Sequence, residues 1–380
     1  MSARLAFVWS LILTAVFNPS ALAAAETQSP TAADVRVPAE WEPQEAIWLQ
    51  WPGRYEKSLE EGFAKMSAVI IQYQKLHVLC ASEKIKLDAQ KALTKFGADP
   101  DHSNLIWHIT SNDSAWMRDN GPVYVVSDGE MRIQNWNFNA WGGAFGADIP
   151  YASDNDVPRQ VGEYLKFPVD DVNIVHERGN LEFNGVDAVI ANWSTIGDAH
   201  RNPGYTKQQA ETDFKRLFGV TRVVLIEGVP KSDLTKGHID GIARFISADA
   251  VVVGQCTEAS KCKPGDGQDD EVYEQAAKTI ESAGFRVIRD PMEATVRFGG
   301  ETFDTNYLNW LVGNGFVIAV GFGHAEADAA AKERIQSYFP GRAVHVIEML
   351  KSWASGGGVH CHTNDQPALS TLDASPAAWK

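Results

Sequence analysis

The fold is decided by a stretch that begins GPVYVVSDGEMRIQNWNF at residues 121–138 and continues with VPRQVGEYL at 157–165 and VNIV at 172–175. Its first part holds two apolar runs that predict a pair of strands. The second part has the spacing of an amphipathic helix, and the third part predicts a short strand. Together they predict one αβ unit in the order hairpin, helix, strand.

The same order of elements recurs about five times along the chain. Helical spacing is found at Glu56–Lys75, Glu83–Phe96, Val157–Leu165, Thr206–Leu217, Asp270–Gly284 and Ala325–Phe339. Short apolar strands are expected at Leu76–Cys80, Leu105–Ile109, Val172–Val175, Arg222–Ile226, Phe285–Ile288 and Val344–Ile347. Further strand pairs are expected at Leu181–Asn184 with Ala188–Trp193 and at Tyr307–Val312 with Phe316–Val320. A repeated α/β unit closed around a centre fits this pattern, although a doubly wound sheet would give similar local signals.

Polar clusters follow successive units at the same topological place. They are WMRD at 116–119, HERGN at 176–180, KGHID at 236–240 and GGGVHC at 356–361. If the units are related by rotation about a centre, these clusters converge on one central site.

The N-terminal segment predicts export. Arg4 precedes the apolar run Leu5–Phe17, and the segment ends in the small-x-small sequence Ala21–Ala23. This pattern is typical of a secretory signal peptide over residues 1–23, with an uncleaved anchor as the alternative. Residues 24–36 are expected to be a disordered lead, followed by a single domain over 37–380. The mature protein is therefore expected outside the cytoplasm, periplasmic or secreted, and not in a membrane.

Composition restricts the kinds of partner. The 380-residue chain has a net charge of −15, which argues against nucleic acid or an anionic membrane surface and suits a cationic substrate. Four cysteines are too few for a disulfide scaffold at this length. Cys256 and Cys262 are close enough in sequence to bridge a loop, and the sequence leaves their pairing open. Cys80 ends an apolar run and is expected to be a buried small hydrophobe.

Cys361 differs from the other cysteines, because it follows three glycines and lies between two histidines. Glycines permit close backbone approach, so this segment is suited to presenting a nucleophile. A flexible loop with an incidental thiol is the alternative. Metal binding by His360, Cys361 and His362 is disfavoured, because consecutive side chains on an extended chain point in opposite directions.

Two further segments carry side chains suited to chemistry. His238 and Asp240 are two residues apart, and an extended backbone would place both on one face. A carboxylate can fix the tautomer of a histidine that acts as a general acid or base. Asp119 lies at the mouth of a turn, with an Arg118–Asp119 surface pair as the alternative. The nearby aromatic residues are able to wall a cationic site, although they are more often core: Trp116, Trp136 and Trp141.

Together these clusters resemble the family of agmatine deiminases and bacterial-type peptidylarginine deiminases. The resemblance covers about residues 37–367. It rests on six ordered motifs, PAEWEP at 38–43, WMRDNGP at 116–122, FNAWGG at 138–143, RNPG at 201–204, GHIDG at 237–241 and GGVHC at 357–361. It implies a five-bladed αβ propeller and no metal or organic cofactor.

The resemblance also implies roles at matched positions. Asp119 and Asp240 would accept paired hydrogen bonds from a planar guanidinium, and Cys361 would attack its carbon. His238 would transfer protons, and Glu177 would support the histidine and the substrate. Asn309 matches a polar position near the nucleophile, and Trp116 is a candidate substrate contact.

This sequence also departs from the family pattern. Asn120 stands where agmatine enzymes usually carry Thr, Arg178 replaces the first Gly of Glu-Gly-Gly, and Asn364-Asp365 replace part of Thr-Gln-Gln. The expected reaction is hydrolysis of a guanidinium, with agmatine giving N-carbamoylputrescine as first choice and peptide arginine as the alternative. An amidinotransferase would need a second amine site. A non-catalytic binder of guanidinium or polyamine cations is the alternative of another class. Oligomeric state is not indicated by the sequence.

Overall fold

The computed structural model describes residues 35–53, 55–231, 233–265 and 267–371. The predicted signal peptide and nearly all of the predicted lead lie outside these residues. Val35 and Arg36, which fall in the predicted disordered lead, instead form a strand that pairs with Ser127 and Val126. Within the described ranges, no helix is both long and apolar enough to cross a membrane.

The strands of the described chain are short. In chain order they are β1 (Val35–Arg36), β2 (Gln44–Gln50), β3 (Lys75–Cys80), β4 (Leu105–Ile109), β5 (Val123–Ser127), β6 (Glu130–Asn137), β7 (Val169–Val175), β8 (Glu182–Phe183), β9 (Ala188–Asn192), β10 (Arg222–Ile226), β11 (Ala243–Ser247), β12 (Ala250–Gln255), β13 (Arg286–Pro291), β14 (Thr295–Phe298), β15 (Glu301–Asp304), β16 (Leu311–Gly313), β17 (Phe316–Gly321), β18 (Ala343–Glu348) and β19 (Thr363–Pro367).

The longer helices match the periodic segments of the sequence closely, except that the segment predicted as helix over Glu56–Lys75 is α-helical only over Glu60–Ile70 and Lys75 begins a strand. The α-helices are α1 (Glu60–Ile70), α2 (Glu83–Lys95), α3 (Met117–Asn120), α4 (Ala140–Gly143), α5 (Val157–Leu165), α6 (Trp193–Ile196), α7 (Lys207–Phe218), α8 (Gln268–Ser282), α9 (Ala325–Tyr338) and α10 (Leu350–Trp353). Ser82 caps α2 by accepting a hydrogen bond from the backbone N–H of Ile85, and Thr206 forms a capping box with Gln209 at the start of α7.

Five sheets of the described chain share one strand order. In each sheet an antiparallel pair is extended by a parallel strand, which the chain enters after a helix. The sheets are β1-β5-β6-β7, β8-β9-β10, β11-β12-β13, β16-β17-β18 and β19-β2-β3-β4, and β14-β15 is a separate hairpin. The α/β class is confirmed, and the five sheets correspond in number to the blades that the resemblance implies.

The last strand completes the first sheet. β19 pairs antiparallel with β2, with Thr363 opposite Leu49 and Gln366 opposite Ala46. Since Cys361 lies two residues before β19, this pairing fixes where the C-terminal cysteine lies relative to the N-terminal unit.

The three cysteines other than Cys361 stabilise the fold, either in a disulfide or by packing in the core. Cys256 and Cys262 are joined by a disulfide that closes the loop after β12. The sequence left this pairing open. Cys80 is fully buried at the end of β3, as expected for a small hydrophobe.

Candidate active site

Cys361 lies in a single 3₁₀ turn, His360–His362, directly before β19. Asn309 Nδ2 donates to Cys361 Sγ at 3.1 Å, and Asn309 Oδ1 accepts from the backbone N–H groups of Gly358 and His360 at 3.0 and 3.1 Å. A Cβ at Gly357 would lie 2.5 Å from Cys361 Sγ. The glycine segment therefore packs closely against the thiol, as the sequence predicts, and one asparagine organises the turn.

Two buried carboxylates lie beside the thiol. Cys361 Sγ is 3.5 Å from Asp240 Oδ2. Asp119 Oδ2 accepts a hydrogen bond from Trp141 Nε1 at 2.8 Å. Within the described part of the chain, Asp119 Oδ1 has no hydrogen-bond partner, although the side chain is only 2% exposed. A buried carboxylate oxygen without a donor is an acceptor available to a ligand.

The imidazole of His238 lies between two carboxylates from other units. Its Nδ1 is 3.5 Å from Asp119 Oδ1, and its Nε2 is 3.4 Å from Glu177 Oε2. The prediction of an extended segment that places His238 and Asp240 on one face is wrong, because residues 239–241 form a 3₁₀ turn. Asp240 instead accepts from His360 Nδ1 at 2.7 Å.

Glu177 is held by an arginine that the sequence did not single out. Arg201 Nε donates to both carboxylate oxygens of Glu177, at 2.9 and 3.0 Å, and neither side chain is exposed. Arg201 Nη2 also donates to the carbonyl oxygen of Thr235, in the loop that leads to His238. The only signal in the sequence was the position of Arg201 at the start of the RNPG motif.

Burial and the charges of neighbouring groups determine the protonation states of His238, Asp119 and Glu177. Burial lowers the pKa of His238, but Asp119, Glu177 and Asp240 outweigh it and raise that pKa to about 9. Burial raises the pKa of Asp119 to about 7, with His238 opposing. Burial also works against ionised Glu177, but Arg201 and His238 lower its pKa to about 2. At neutral pH the site therefore holds an imidazolium beside an ionised Glu177.

The thiol is not activated by its surroundings. Burial raises the pKa of Cys361 well above its usual range, Asp240 and Asp119 raise it further, and the hydrogen bonds from Asn309 and Gly358 oppose them. A cation bound between the two carboxylates would cancel part of their field and lower the thiol pKa. This arrangement predicts that a bound cation activates the thiol.

Alkylation of Cys361 by iodoacetamide is expected to be slow at neutral pH and to accelerate as the pH rises past 9, because the thiolate is the reactive form. The rate is measured from the mass of the peptide that contains Cys361. Cys80, whose pKa burial raises to about 12, serves as the internal control. An alkylation midpoint below pH 7 in the free protein would contradict this account.

His360 connects the carboxylate beside the thiol to the first motif of the chain. Its Nε2 lies 3.0 Å from Glu40 Oε2, and Arg244 Nη2 donates to the same oxygen at 2.7 Å. Burial works against ionised Asp240, but the hydrogen bond from His360 and the charges of His360, His238 and Arg244 together lower the Asp240 pKa. Glu40 of the PAEWEP motif therefore contacts His360 on the side away from Asp240. The sequence identified Glu40 only as part of a family motif and predicted no contact for it.

Asp365 ties three segments of the site together. It accepts from Arg118 Nη1 at 2.8 Å and from Arg178 Nη1 and Nη2 at 2.7 and 3.0 Å. The two arginines directly adjoin Asp119 and Glu177 in sequence, and Asp365 follows Cys361 by four residues. The alternative of an Arg118–Asp119 surface pair is wrong, because Arg118 is buried and pairs with Asp365.

Two of the positions that depart from the family pattern contact each other. Arg178 and Asp365 form a bidentate ion pair in which the side chains are 8% and 2% exposed. Asn120 is also buried, and its Nδ2 lies 3.4 Å from Ser114 Oγ. None of these substitutions occupies the position of the thiol, the imidazole or the two carboxylates beside them.

Aromatic side chains close the site on one side. Trp116 stacks on His362 with a ring separation of 4.3 Å, and Trp116 and Trp141 form a buried cluster with Cys361. Trp136 lies elsewhere and stacks on Phe218. His360 contacts Asp240, whereas His362 contacts the carbonyl oxygen of Ala115. Within the described ranges, no group of three or more His, Cys, Asp or Glu side chains is arranged to hold a metal ion.

A known family model matches most of this chain. The family model described as Porphyromonas-type peptidyl-arginine deiminase matches residues 36–367. The chain belongs to this family. Every site residue predicted from the sequence lies within the matched range.

Relatives of the deiminase family match over nearly their whole length. The agmatine deiminase of Medicago truncatula is 30% identical, over 90% of this chain and 98% of that protein. The agmatine deiminase of Pseudomonas aeruginosa strain LESB58 is 27% identical with the same coverage. The solved structure of the agmatine deiminase of Enterococcus faecalis is 25% identical, covers 90% of this chain and 98% of that one, and has a TM-score of 0.78.

Proposed function

We propose that this protein hydrolyses the guanidinium group of a small cationic substrate to a ureido group and ammonia. The first choice is agmatine, which gives N-carbamoylputrescine. The observation that carries the proposal is one thiol, Cys361, surrounded by the buried carboxylates Asp119 and Asp240 and the imidazole of His238. The named agmatine deiminases that match over nearly all of this chain support the substrate.

Substrate binding uses the two carboxylates. A guanidinium offers N–H groups in one plane, and carboxylates bind such groups in pairs. Within the described residues Asp119 Oδ1 accepts no hydrogen bond, although His238 Nδ1 lies 3.5 Å away, and Asp240 lies on the side of the thiol. The guanidinium carbon is thereby fixed for attack by Cys361.

The reaction then has two halves. The thiol proton passes to solvent as Sγ forms a bond to the guanidinium carbon. The imidazolium of His238 then protonates one nitrogen of the tetrahedral adduct, which leaves as ammonia and takes up the released proton in solution. This leaves an S-alkylthiouronium on Cys361. Water, deprotonated by the now neutral His238, adds to the same carbon, and the C–S bond breaks to return the thiol and release the ureido product. Water supplies the oxygen, and no electrons are exchanged with a second reactant.

Peptide arginine is the second candidate substrate. The description of the matching family model names peptidyl-arginine. A protein exported from the cytoplasm would meet the arginine side chains of extracellular or periplasmic peptides. A non-catalytic cation binder is disfavoured, because binding needs only the carboxylates and not Cys361 with His238. An amidinotransferase would need a second amine site.

We also propose that the mature protein acts outside the cytoplasm. The signal-peptide pattern at 1–23 supports export, and so does the Cys256–Cys262 disulfide, because disulfides persist in oxidising compartments. Detection of the mature chain, lacking its first 23 or so residues, in the periplasmic or secreted fraction tests this.

The substrate is tested by measuring ammonia and ureido product from purified mature protein offered agmatine, free arginine and an arginine-containing peptide. Turnover of agmatine alone is the expected result. Turnover of the peptide in preference would assign the protein to the protein-modifying branch. If no guanidino compound is turned over, the proposed reaction is wrong.

A further inference from the structure

The short turn α4 has an unusual backbone. All four of its residues have positive φ, at 55° for Ala140, 56° for Trp141, 69° for Gly142 and 72° for Gly143. They form a single left-handed turn, a conformation that costs free energy at residues with a Cβ, here Ala140 and Trp141. Such a turn persists only where its surroundings enforce it, and strained residues of this kind cluster at functional sites.

Asn139 holds this turn from two sides. Its Oδ1 accepts a hydrogen bond from the backbone N–H of Gly142 at 2.8 Å, which closes the turn. Its Nδ2 donates to the carbonyl oxygen of His200 at 2.9 Å, which ties the turn to the loop of the RNPG motif. The fit is close, because a Cβ at Gly142 would lie 3.3 Å from His200 Cβ and 3.5 Å from Arg201 Cγ. One side chain therefore closes the turn and also seats it on a loop of another unit.

The turn and that loop support the two carboxylates on either side of His238. Trp141 Nε1 donates to Asp119 Oδ2 at 2.8 Å, and Arg201 Nε donates to both oxygens of Glu177. The indole N–H holds one oxygen of Asp119, so the direction of the other oxygen depends on the backbone that carries the indole. A side chain that must bind in one orientation requires such support from its neighbours.

We propose that Asn139 is a positioning residue for the hydrolysis: by holding the left-handed turn, it keeps the indole N–H of Trp141 on Asp119 and so orients that carboxylate for the guanidinium. The inference rests on the proposed function. Without the side chain of Asn139, the backbone of Ala140 and Trp141 is expected to relax toward negative φ and to carry the indole away from Asp119 Oδ2. Burial raises the pKa of Asp119 and the hydrogen bond from Trp141 lowers it, so loss of this bond should raise that pKa further.

The test measures kcat/KM for agmatine as a function of pH in Asn139→Ala. We expect a fall of roughly 10- to 100-fold at neutral pH, the scale found when a binding group is displaced by about 1 Å. The acid limb of the profile should move to higher pH, because ionised Asp119 binds the guanidinium and its pKa has risen. Asn139→Ser, which keeps an uncharged oxygen acceptor, should recover part of the loss. Ser82→Ala, which removes the cap of α2, is the matched control and should leave kcat/KM and its pH profile as in wild type.

A double-mutant cycle tests whether Asn139 acts through the indole. Trp141→Phe keeps an aromatic ring and removes the N–H, so it should reproduce the shift of the acid limb. In the Trp141→Phe background, Asn139→Ala should lower kcat/KM little further. If Asn139→Ala does not fold, Asn139→Ser takes its place in the cycle. Additive losses would show that Asn139 does not act through Trp141 and would overturn the inference.

The remaining outcomes also decide the inference. An Asn139→Ala protein with the wild-type kcat/KM and pH profile overturns the positioning role and leaves guanidine hydrolysis intact. A variant that unfolds at lower urea concentration but keeps the wild-type kcat/KM and pH profile while folded has lost only a structural contact, which overturns the inference as well. If wild type hydrolyses no guanidino compound, the proposed function fails and this inference fails with it.

Discussion

Replacement of Cys361 by alanine is expected to abolish ammonia release, with a loss of roughly 10⁵- to 10⁶-fold in kcat, the scale found when a nucleophile is removed. The thiol is the group placed to attack, since it lies 3.5 Å from Asp240 and is held by Asn309. Asp119, His238 and Glu177 would remain, but they can only bind and polarise the guanidinium. The measurement is steady-state ammonia release from agmatine by the two proteins.

Two controls separate chemistry from folding in this experiment. Cys80→Ala removes the other free thiol of the described chain, and it should leave kcat close to the wild-type value. Cys361→Ala should still bind agmatine, as measured by calorimetry, because both carboxylates are intact. A Cys361→Ala protein that releases ammonia at the wild-type rate would contradict the assignment of the nucleophile.

Asp365→Asn is expected to destabilise the protein by about 3–5 kcal/mol, because removing one partner of a buried ion pair leaves the other charges buried without compensation. Here two guanidinium groups, those of Arg118 and Arg178, lose their shared carboxylate. Since these arginines adjoin Asp119 and Glu177, kcat/KM should fall as well. The free energy of unfolding in urea and the kinetics on agmatine measure the two effects separately.

A double-mutant cycle tests the shared ion pair directly. Arg178→Met in the Asp365→Asn background should cost less than in wild type, and it should partly restore stability, because one uncompensated buried charge is removed. Asp170→Asn is the matched control, since Asp170 accepts a similar pair of hydrogen bonds from Arg132 at the surface, where such pairs contribute at most about 1 kcal/mol. Additive effects of Arg178→Met and Asp365→Asn would contradict the coupling.

Much of the fold was predictable because each unit carries its own periodic signal. Val157–Leu165 matches α5 at both ends, and Leu105–Ile109 matches β4. The polar clusters at equivalent places of successive units correctly indicated a shared site, since Asp119, Glu177, His238 and Cys361 do meet. The pairing of β19 with β2 was not predictable in this way, because it joins segments more than 300 residues apart.

The partners of the site residues were less accessible from the sequence. Spacing suggested that Asp240 belongs with His238, whereas a 3₁₀ turn directs it to His360. Arg201 and Asp365 act across units, and no local pattern shows which distant carboxylate or guanidinium each one meets. A buried charge must be paired, so its presence is a clue, but the identity of its partner depends on the tertiary fold.

The central claim is that a covalent intermediate forms on Cys361. Acid quenching during turnover of agmatine, followed by mass spectrometry of the peptide that contains Cys361, tests it most directly. The account predicts a species heavier by the mass of agmatine minus ammonia, absent without substrate and absent in Cys361→Ala. Ureido product formed at full rate, with Cys361 unmodified throughout and still reactive toward iodoacetamide, would contradict it.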